Sequence, residues 1–104
     1  MMRMGWASGY IEKLKRGETV KFRPRGNSMS PRIKSGDLCT VEPVHDVSSV
    51  LAGDIVLCKV RGAEYLHFVK AIQGDRFQIG NNRGGINGWI GASGIFGKLK
   101  SVEP

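Results

Sequence analysis

The segment around Ser28 combines residue types that nucleophilic chemistry requires. It reads Gly-Asn-Ser-Met-Ser-Pro over residues 26–31. A serine hydroxyl becomes a nucleophile when a tight turn exposes it beside a base and beside N–H groups that can bind a developing oxyanion. Gly26 permits an unusual backbone angle, and the N–H groups of Gly26, Asn27 and Ser28 are candidate oxyanion donors. The same residue types also form ordinary turns, so the segment alone leaves both interpretations open.

Two side chains further along the chain could serve as the base for Ser28. His67 lies in the run Tyr-Leu-His-Phe-Val, where partial burial would keep its imidazole neutral and able to accept a proton. Lys70 is the alternative base, because serine–lysine pairs are also known. The two positions differ by an odd number, so on a regular strand only one of them can face Ser28. A core histidine satisfied by one backbone hydrogen bond is the competing interpretation of His67.

The elements that must position these groups are predicted from apolar periodicity and turn residues. Apolar residues at helical spacing predict a helix over residues 6–16. Residues 24–36 are predicted as a loop with one helical turn at 31–34, and the glycine- and asparagine-rich residues 80–88 as a second, extended loop. Apolar or alternating runs predict short strands over residues 19–23, 38–41, 54–60, 64–72, 76–79 and 94–102.

This pattern indicates a mainly β fold. We expect a curled or barrel-like sheet with one short N-terminal helix, because many short strands alternate with tight turns. We further expect a single domain over residues 1–104, with an N-terminal helical arm over residues 1–17 and a β domain over residues 18–104.

Charge and apolar content limit the function classes. The chain carries a net charge of +7, and residues 1–35 hold nine Lys or Arg but only two Glu. Such a surface either binds an anionic partner or keeps the protein solvated. Because no nucleic-acid-binding motif accompanies the charge, binding to nucleic acid stays an open alternative. No apolar run approaches the length of a membrane span and no signal peptide is evident, so we expect a cytoplasmic protein.

The cysteines and histidines do not form a ligand pattern. Cys39 and Cys58 both lie in apolar runs, which is typical of small buried residues in a reducing compartment. His45 and His67 are isolated from each other along the chain. We therefore expect no metal site and no cofactor.

Two blocks of the chain resemble the LexA/signal-peptidase clan of serine peptidases. The run GNSMSPRIKSGD resembles the clan's serine motif, and GDIVLCKV followed by YLHFVKAI resembles its second half; GIFGKL near the end also fits. The resemblance implies a β fold of that type. It also implies a serine endopeptidase that needs no cofactor and cleaves protein or peptide substrates beside small side chains.

The same resemblance implies roles for individual residues. In LexA-like repressors the base lies fourteen positions after the glycine of the second block, which here is His67; other clan members carry histidine at that position. Ser28 would attack the scissile carbonyl, with Met29 and Pro31 shaping its loop. A following Gly-Asp-x-Asn segment of the clan resembles residues 80–82, which makes Asn81 and Asn82 candidates to orient the histidine. Asp75 is a remote candidate for that role.

Several functional alternatives stay open at this point. Clan members that are signal peptidases carry a membrane anchor, and this chain has no apolar run that could form one. LexA-like repressors carry a DNA-binding domain, for which the 27 residues before Ser28 are too few. We expect a stand-alone peptidase acting on another protein, with self-cleavage near Ser8-Gly9 disfavoured. The alternative is a catalytically silent domain whose basic surface binds a protein or nucleic acid. Exposed strand edges would allow a homodimer.

Overall fold

The computed structural model describes residues 5–104, and residues 1–4 of the expected arm lie outside this range. Two short 3₁₀ turns, Val47–Ser49 and Ala92–Gly94, interrupt the loops of the described part. Its helix and strands follow in the order α1 (Ser8–Lys15), β1 (Val20–Phe22), β2 (Leu38–Pro43), β3 (Ile55–Val60), β4 (Ala63–Gln73), β5 (Arg76–Gly80), β6 (Ile86–Ile90) and β7 (Ile95–Glu103).

The strands form one antiparallel sheet in the order β1-β2-β7-β3-β4-β5-β6. The register shifts once in each of the pairs β2–β7, β3–β7, β4–β5 and β5–β6. Each shift adds a residue to one strand, which bends that strand and increases its twist, so four shifts curl the sheet. The expected mainly β fold with a curled sheet is confirmed, and the sheet is open rather than a closed barrel.

Two local predictions are wrong. Residues 80–88 are not one loop, because β6 begins at Ile86 and pairs with β5; pairing with a neighbouring strand outweighs the weak strand preference of a glycine-rich segment. The predicted helical turn at 31–34 is also displaced. The N–H of Ile33 donates to the carbonyl oxygen of Met29 at 2.9 Å, so the turn begins at Met29. The side chains of Met29 and Ile33 are both buried, and they fix the two ends of the turn.

Apolar side chains pack on both faces of β3. One cluster joins α1, β1 and β2 to Leu57 of β3, and it includes Met29 and Ile33 from the loop that follows β1. The other joins β4, β5, β6 and β7 to Val56 of β3. Because both faces of this strand are buried, its sequence is a continuous apolar run instead of an alternating one.

Helix α1 packs its Ile11 and Leu14 side chains against this core. The cations Lys13 and Lys15 lie in its last turn, where they interact favourably with the negative end of the helix dipole. Within residues 5–104, no helix has the length and apolar character needed to cross a membrane.

Both cysteines are free and buried. Burial raises the pKa of the Cys39 thiol to about 11 and that of the Cys58 thiol to about 12. A thiol attacks only as the thiolate, so at neutral pH neither cysteine is an effective nucleophile. They fill space in the core, as expected from the sequence.

Two leucines test the importance of β3 for the fold. Leu57 is fully buried, whereas Leu51 is 63% exposed. We expect Leu57→Ala to lower the free energy of unfolding by about 2–5 kcal/mol, because it removes buried apolar area and leaves a cavity. Leu51→Ala should change it by less than about 0.5 kcal/mol. Urea unfolding followed by circular dichroism measures both values, and similar losses in the two variants would contradict this packing.

Candidate active site

Ser28 lies in the loop over residues 23–37, between β1 and β2. Its neighbour Met29 is buried in the core, while Ser28 itself is exposed. A second contact holds the loop from outside: Asn82 donates its backbone N–H to the Ser28 carbonyl oxygen at 2.9 Å and its side-chain amide to the Ser30 carbonyl oxygen at 3.1 Å. These anchors leave the Ser28 hydroxyl on the outer side of a fixed turn.

His67 meets this hydroxyl from the sheet. It lies in the middle of β4, paired with Val56 of β3, and its side chain stacks on the Tyr65 ring with 4.9 Å between ring centroids. The distance from His67 Nε2 to Ser28 Oγ is 3.1 Å, within hydrogen-bond range. The structure therefore brings together the two residues that the sequence singled out as nucleophile and base.

The other ring nitrogen of His67 contacts Asn87. The distance from His67 Nδ1 to Asn87 Oδ1 is 2.7 Å. An amide oxygen can only accept a hydrogen bond, so Nδ1 carries the hydrogen of the neutral ring. Nε2 then has a free lone pair and accepts the hydrogen bond that the Ser28 hydroxyl donates. Asn87 thus selects the tautomer in which His67 can receive a proton from Ser28.

A bulge in β6 explains how Asn87 reaches the histidine. Ile86 and Gly88 both have partners on β5, but the register advances by two residues on β6 and by one on β5, so Asn87 is the extra residue. Gly88 has a φ of +144°, which favours glycine. Bulges redirect side chains next to functional sites. Asn87 lies within the residues 80–88 that were predicted as a loop, and the Asn-Gly pair, which is common at bulges, is the signal that could have identified it.

The predicted partners of the histidine need correction. Asn81 uses its side-chain oxygen to accept two backbone N–H groups of the turn that follows it, each at 2.8 Å. Asn82 binds the backbone of the Ser28 loop, as described above. Asp75 lies in the turn between β4 and β5, beside a separate depression. Within the described residues, none of the three contacts the imidazole of His67, because Asn87 already occupies its Nδ1.

Lys70, the alternative base, is exposed on β4. It is the extra residue of a bulge between Val69 and Ala71, so the rule of alternating faces does not hold at this position. Its Nζ lies 5.2 Å from the centroid of the Phe68 ring. Across residues 5–104, Lys70 forms no hydrogen bond with Ser28.

The three predicted oxyanion donors differ in availability. Gly26 has a φ of +112°, but its N–H donates to the Ser35 hydroxyl at 3.1 Å and is therefore not free to bind an oxyanion. The N–H groups of Asn27 and Ser28 bond to no other group in the described part of the chain. Beside them, Met29 anchors the loop in the core and Pro31 is exposed. The loop therefore offers two N–H donors near the hydroxyl instead of three.

A cavity of about 660 Å³ runs past Ser28 and His67. Its walls come from α1 and the nearby Trp6, from the end of β1 and the loop that follows it, from β4, and from two asparagines, one in the loop after β5 and one at the bulge of β6. They comprise Trp6, Tyr10, Phe22, Arg23, Pro24, Arg25, Gly26, Ser28, Met29, Ile33, Glu64, Tyr65, Leu66, His67, Asn81 and Asn87. Among residues 5–104, no three His, Cys, Asp or Glu side chains are grouped to hold a metal ion.

The environment of His67 lowers the pKa of its imidazole below 6.5. Burial is the main cause, because it disfavours the charged ring, and the positive charge of Lys70 adds to the effect. The hydrogen bond to Asn87 acts in the opposite direction and only partly offsets burial. At neutral pH the ring is therefore in the neutral form, which is the form that can take a proton.

A comparison with known protein families identifies the family of the chain. The family model described as Peptidase S24-like matches residues 6–82, well over half of the chain. The chain belongs to the Peptidase S24-like family. This is a family of serine peptidases of the LexA/signal-peptidase kind, so the resemblance inferred from the two sequence blocks is confirmed. No curated protein matches the chain. The Peptidase S24-like match includes Ser28 and His67 and ends before Asn87.

Two variants of Asn87 test the electrostatics of this Peptidase S24-like site. We expect the His67 imidazole to titrate below pH 6.5 in the native chain. Asn87→Ala should lower its pKa further, because the ring loses an acceptor that stabilises its charged form. Asn87→Asp should raise the pKa, because a carboxylate at the same place attracts the imidazolium. NMR titration of the His67 ring protons measures all three values, and a pKa that is the same in all three proteins would contradict the assigned contact.

Proposed function

We propose that this protein is a serine peptidase in which Ser28 is the nucleophile and His67 is the general base. The observation that carries this proposal is the 3.1 Å distance between Ser28 Oγ and His67 Nε2. It supports proton transfer because a general base must lie within hydrogen-bond reach of the proton it takes. His67 is also neutral, so its ring can accept the proton, and Ser28 is exposed, so a peptide can reach its hydroxyl.

The proposed reaction follows from these contacts. As Ser28 Oγ bonds to the scissile carbonyl carbon, its proton moves to His67 Nε2 and the carbonyl oxygen becomes negative. The N–H groups of Ser28 and Asn27 are the donors we assign to that oxygen. His67 then gives the proton to the leaving amine, and the peptide bond breaks to leave an acyl group on Ser28. A water molecule, deprotonated by the same imidazole, releases the acyl group and restores the hydroxyl.

Asn87 acts as the positioning residue for the base in this proposal. Its oxygen holds Nδ1–H, as the asparagine does in the Cys-His-Asn sites of papain-like proteases. An amide orients the ring and interacts favourably with the imidazolium through its dipole, but it supplies no full negative charge. The histidine therefore stays neutral to lower pH than it would beside a carboxylate.

The cavity suggests which peptides this site takes. Family resemblance implies small side chains beside the bond that is cut. Among the lining residues within 5–104, the cations are Arg23 and Arg25, both exposed, and the only acid is Glu64, which is buried. Since Glu64 already binds protein N–H and O–H groups, the accessible charge is positive. We propose that peptides with acidic residues near the cut bond are preferred over basic ones.

We also propose that the protein works in the cytoplasm. Its two cysteines are free thiols, and free thiols persist in compartments that keep cysteine reduced. The proposed chemistry uses hydroxyl, imidazole and amide groups only, so it does not depend on either thiol.

Cleavage assays on matched variants test the proposed nucleophile and base. A mixture of synthetic decapeptides with alanine on both sides of the central bond serves as substrate, and mass spectrometry detects products. We expect Ser28→Ala to remove cleavage to the detection limit, because no other group in the site replaces the hydroxyl. His67→Ala should lower the rate by about 10²–10⁴-fold, the usual contribution of a general base.

Ser30→Ala and His45→Ala are the controls for this assay. Ser30 lies in the same loop, and His45 is an exposed histidine outside the cavity. Both variants should cleave at the native rate. Undiminished cleavage by Ser28→Ala would refute the proposed function, and so would a native protein that cleaves no member of the mixture.

The pH dependence of cleavage provides a separate test. Only the neutral imidazole accepts the Ser28 proton, so kcat/KM should fall as the pH drops through the lowered pKa of His67. The half-maximal point should therefore lie below pH 6.5, and in Asn87→Asp it should move to higher pH. A half-maximal point above pH 7.5 in the native protein would instead indicate a lysine or another group as the base.

A further inference from the structure

Five exposed cations surround the loop over residues 23–37, which carries the proposed nucleophile. We call them the basic surface: Arg23, Arg25, Arg32 and Lys34 of the loop, and Arg83 in the turn after β5. The loop has one acid, Asp37, whose half-buried carboxylate accepts the backbone N–H of Lys34 at 2.8 Å. In the part of the chain that the structure describes, no carboxylate forms an ion pair with the basic surface. Its charges are therefore available to a partner.

Hydrogen bonds hold the two backbone segments of the basic surface together. The ends of the loop are joined where the N–H of Gly36 donates to the Pro24 carbonyl oxygen at 2.9 Å. The turn that carries Arg83 is joined to the middle of the loop through Asn82, whose side chain donates to the Ser30 carbonyl oxygen at 3.1 Å. The cations of both segments therefore lie in one fixed area, so a partner that binds several of them at once needs little ordering of the backbone.

The cavity of the active site accounts for only part of the basic surface. Arg23 and Arg25 line this cavity, where an acidic peptide would meet them. In the described part of the chain, Arg32, Lys34 and Arg83 are not among the residues that line it. A peptide within the cavity would leave these three cations without a ligand. A partner that uses the whole basic surface must therefore be an extended anion that continues across the loop outside the cavity.

Acidic side chains lie away from the basic surface. Asp75 directly precedes β5, and the turn of Arg83 follows the same strand. Each residue of a strand advances about 3.3 Å, so the five residues of β5 separate the two by about 16 Å. Asp46 lines the same depression as Asp75. This separation of charge would orient an approaching polyanion toward the basic surface.

The residue types of the basic surface favour a phosphate backbone over a lipid or an acidic protein. Four of its five cations are arginines, whose planar guanidinium binds phosphate through two parallel hydrogen bonds. A lipid surface or a protein interface also requires apolar contacts, but the loop buries its Met29 and Ile33 side chains in the core. Within residues 5–104, the large apolar side chains that are exposed all lie outside the loop and the turn of Arg83: Trp6, Leu51, Ile72, Ile86 and Trp89.

We propose that the basic surface binds the phosphate backbone of a nucleic acid. Contacts of this kind are made by cations and polar groups and do not depend on base sequence. The inference goes beyond the proposed function, because it requires no reaction at Ser28. Ser28 lies on the same loop, between Arg25 and Arg32 in the chain, so a bound strand would pass beside the entrance to the cavity.

Fluorescence anisotropy measures this binding directly. Fluorescein-labelled single-stranded DNA, RNA and duplex DNA, each of about 20 nucleotides or base pairs, are titrated with the native protein at about 50 to about 200 mM salt. We expect a Kd of about 10⁻⁶ M or tighter at the lowest salt for at least one of the three. Two unrelated sequences of that form should bind equally. For duplex DNA, log Kd should rise with log salt concentration with a slope of about 3 to 5, because each contacted phosphate contributes about 0.9. Absence of binding to all three at the lowest salt would overturn the proposal.

Two matched double variants separate the basic surface from the net charge of the chain. Arg32→Gln with Arg83→Gln removes two cations of the basic surface, and Arg61→Gln with Arg76→Gln removes two exposed arginines elsewhere. We expect the first pair to weaken binding by about tenfold or more at about 100 mM salt and to lower the salt slope by about 2. The second pair should weaken binding by less than about threefold and keep the slope. Equal losses in the two double variants would show that binding follows net charge alone and would overturn the proposal.

NMR of the native protein locates the contact without any substitution. When the nucleic acid that binds best is added, the backbone amide signals of residues 23–37 and 81–85 should shift more than those around Asp46 and Asp75. Larger shifts around the two aspartates would overturn the proposal. Ser28→Ala should bind with the native affinity whether or not the native chain cuts peptides, so this result and the cleavage assay can fail separately.

Two other anions test the choice of partner. Polyglutamate of about 20 residues represents an acidic protein segment, and phosphatidylglycerol vesicles represent an anionic membrane. Each competes with the labelled nucleic acid for the native protein at the same concentration of negative charge. We expect both to displace it less effectively than unlabelled nucleic acid does. If either anion displaces it more effectively, the basic surface belongs to a different class of partner and the proposal is overturned.

Discussion

A single hydrogen bond between Ser28 and His67 joins two parts of the molecule that are held in place in different ways. Ser28 belongs to an exposed loop, which by itself would be mobile, whereas His67 belongs to a buried strand. The loop becomes a fixed part of the site because Met29 is anchored in the core and Asn82 binds its backbone from outside. The strand is fixed because β3 is buried on both faces and pairs with it along its first half. The 3.1 Å contact depends on both supports, so the packing of the core also determines the geometry of the site.

The electrostatics of the site depend on the Asn87 amide that lies beside the histidine. Burial, helped by the positive charge of Lys70, lowers the pKa of His67, and the hydrogen bond to Asn87 only partly offsets this effect, so the pKa ends below its ordinary value. A carboxylate in the same place would make the ring a stronger base but would also hold a proton on it at moderately acidic pH.

The strands and the helix followed from local patterns, because apolar periodicity and turn residues act over a few positions. Ser28 and His67 were found for another reason: they lie in two short motifs that resemble those of a known family, at the positions where that family has its nucleophile and its base. Asn87 was missed because it is placed by a bulge, and a bulge is a property of two paired strands that neither strand's sequence shows alone. The same limit affected Lys70, where a second bulge breaks the alternation on which its predicted orientation depended. The loss of Gly26 as an N–H donor depends on a hydroxyl nine residues away, which spacing alone does not reveal.

Covalent labelling tests whether His67 activates the hydroxyl of Ser28, and it requires no knowledge of the substrate. The protein is incubated with a fluorophosphonate, an electrophile that reacts with activated serine hydroxyls and releases fluoride, and the modified peptide is then sequenced by mass spectrometry. We expect one adduct, on Ser28, that forms at least about a hundredfold more slowly in His67→Ala. A native protein that stays unlabelled, or labelling of Ser28 at the same rate without the imidazole, would contradict it.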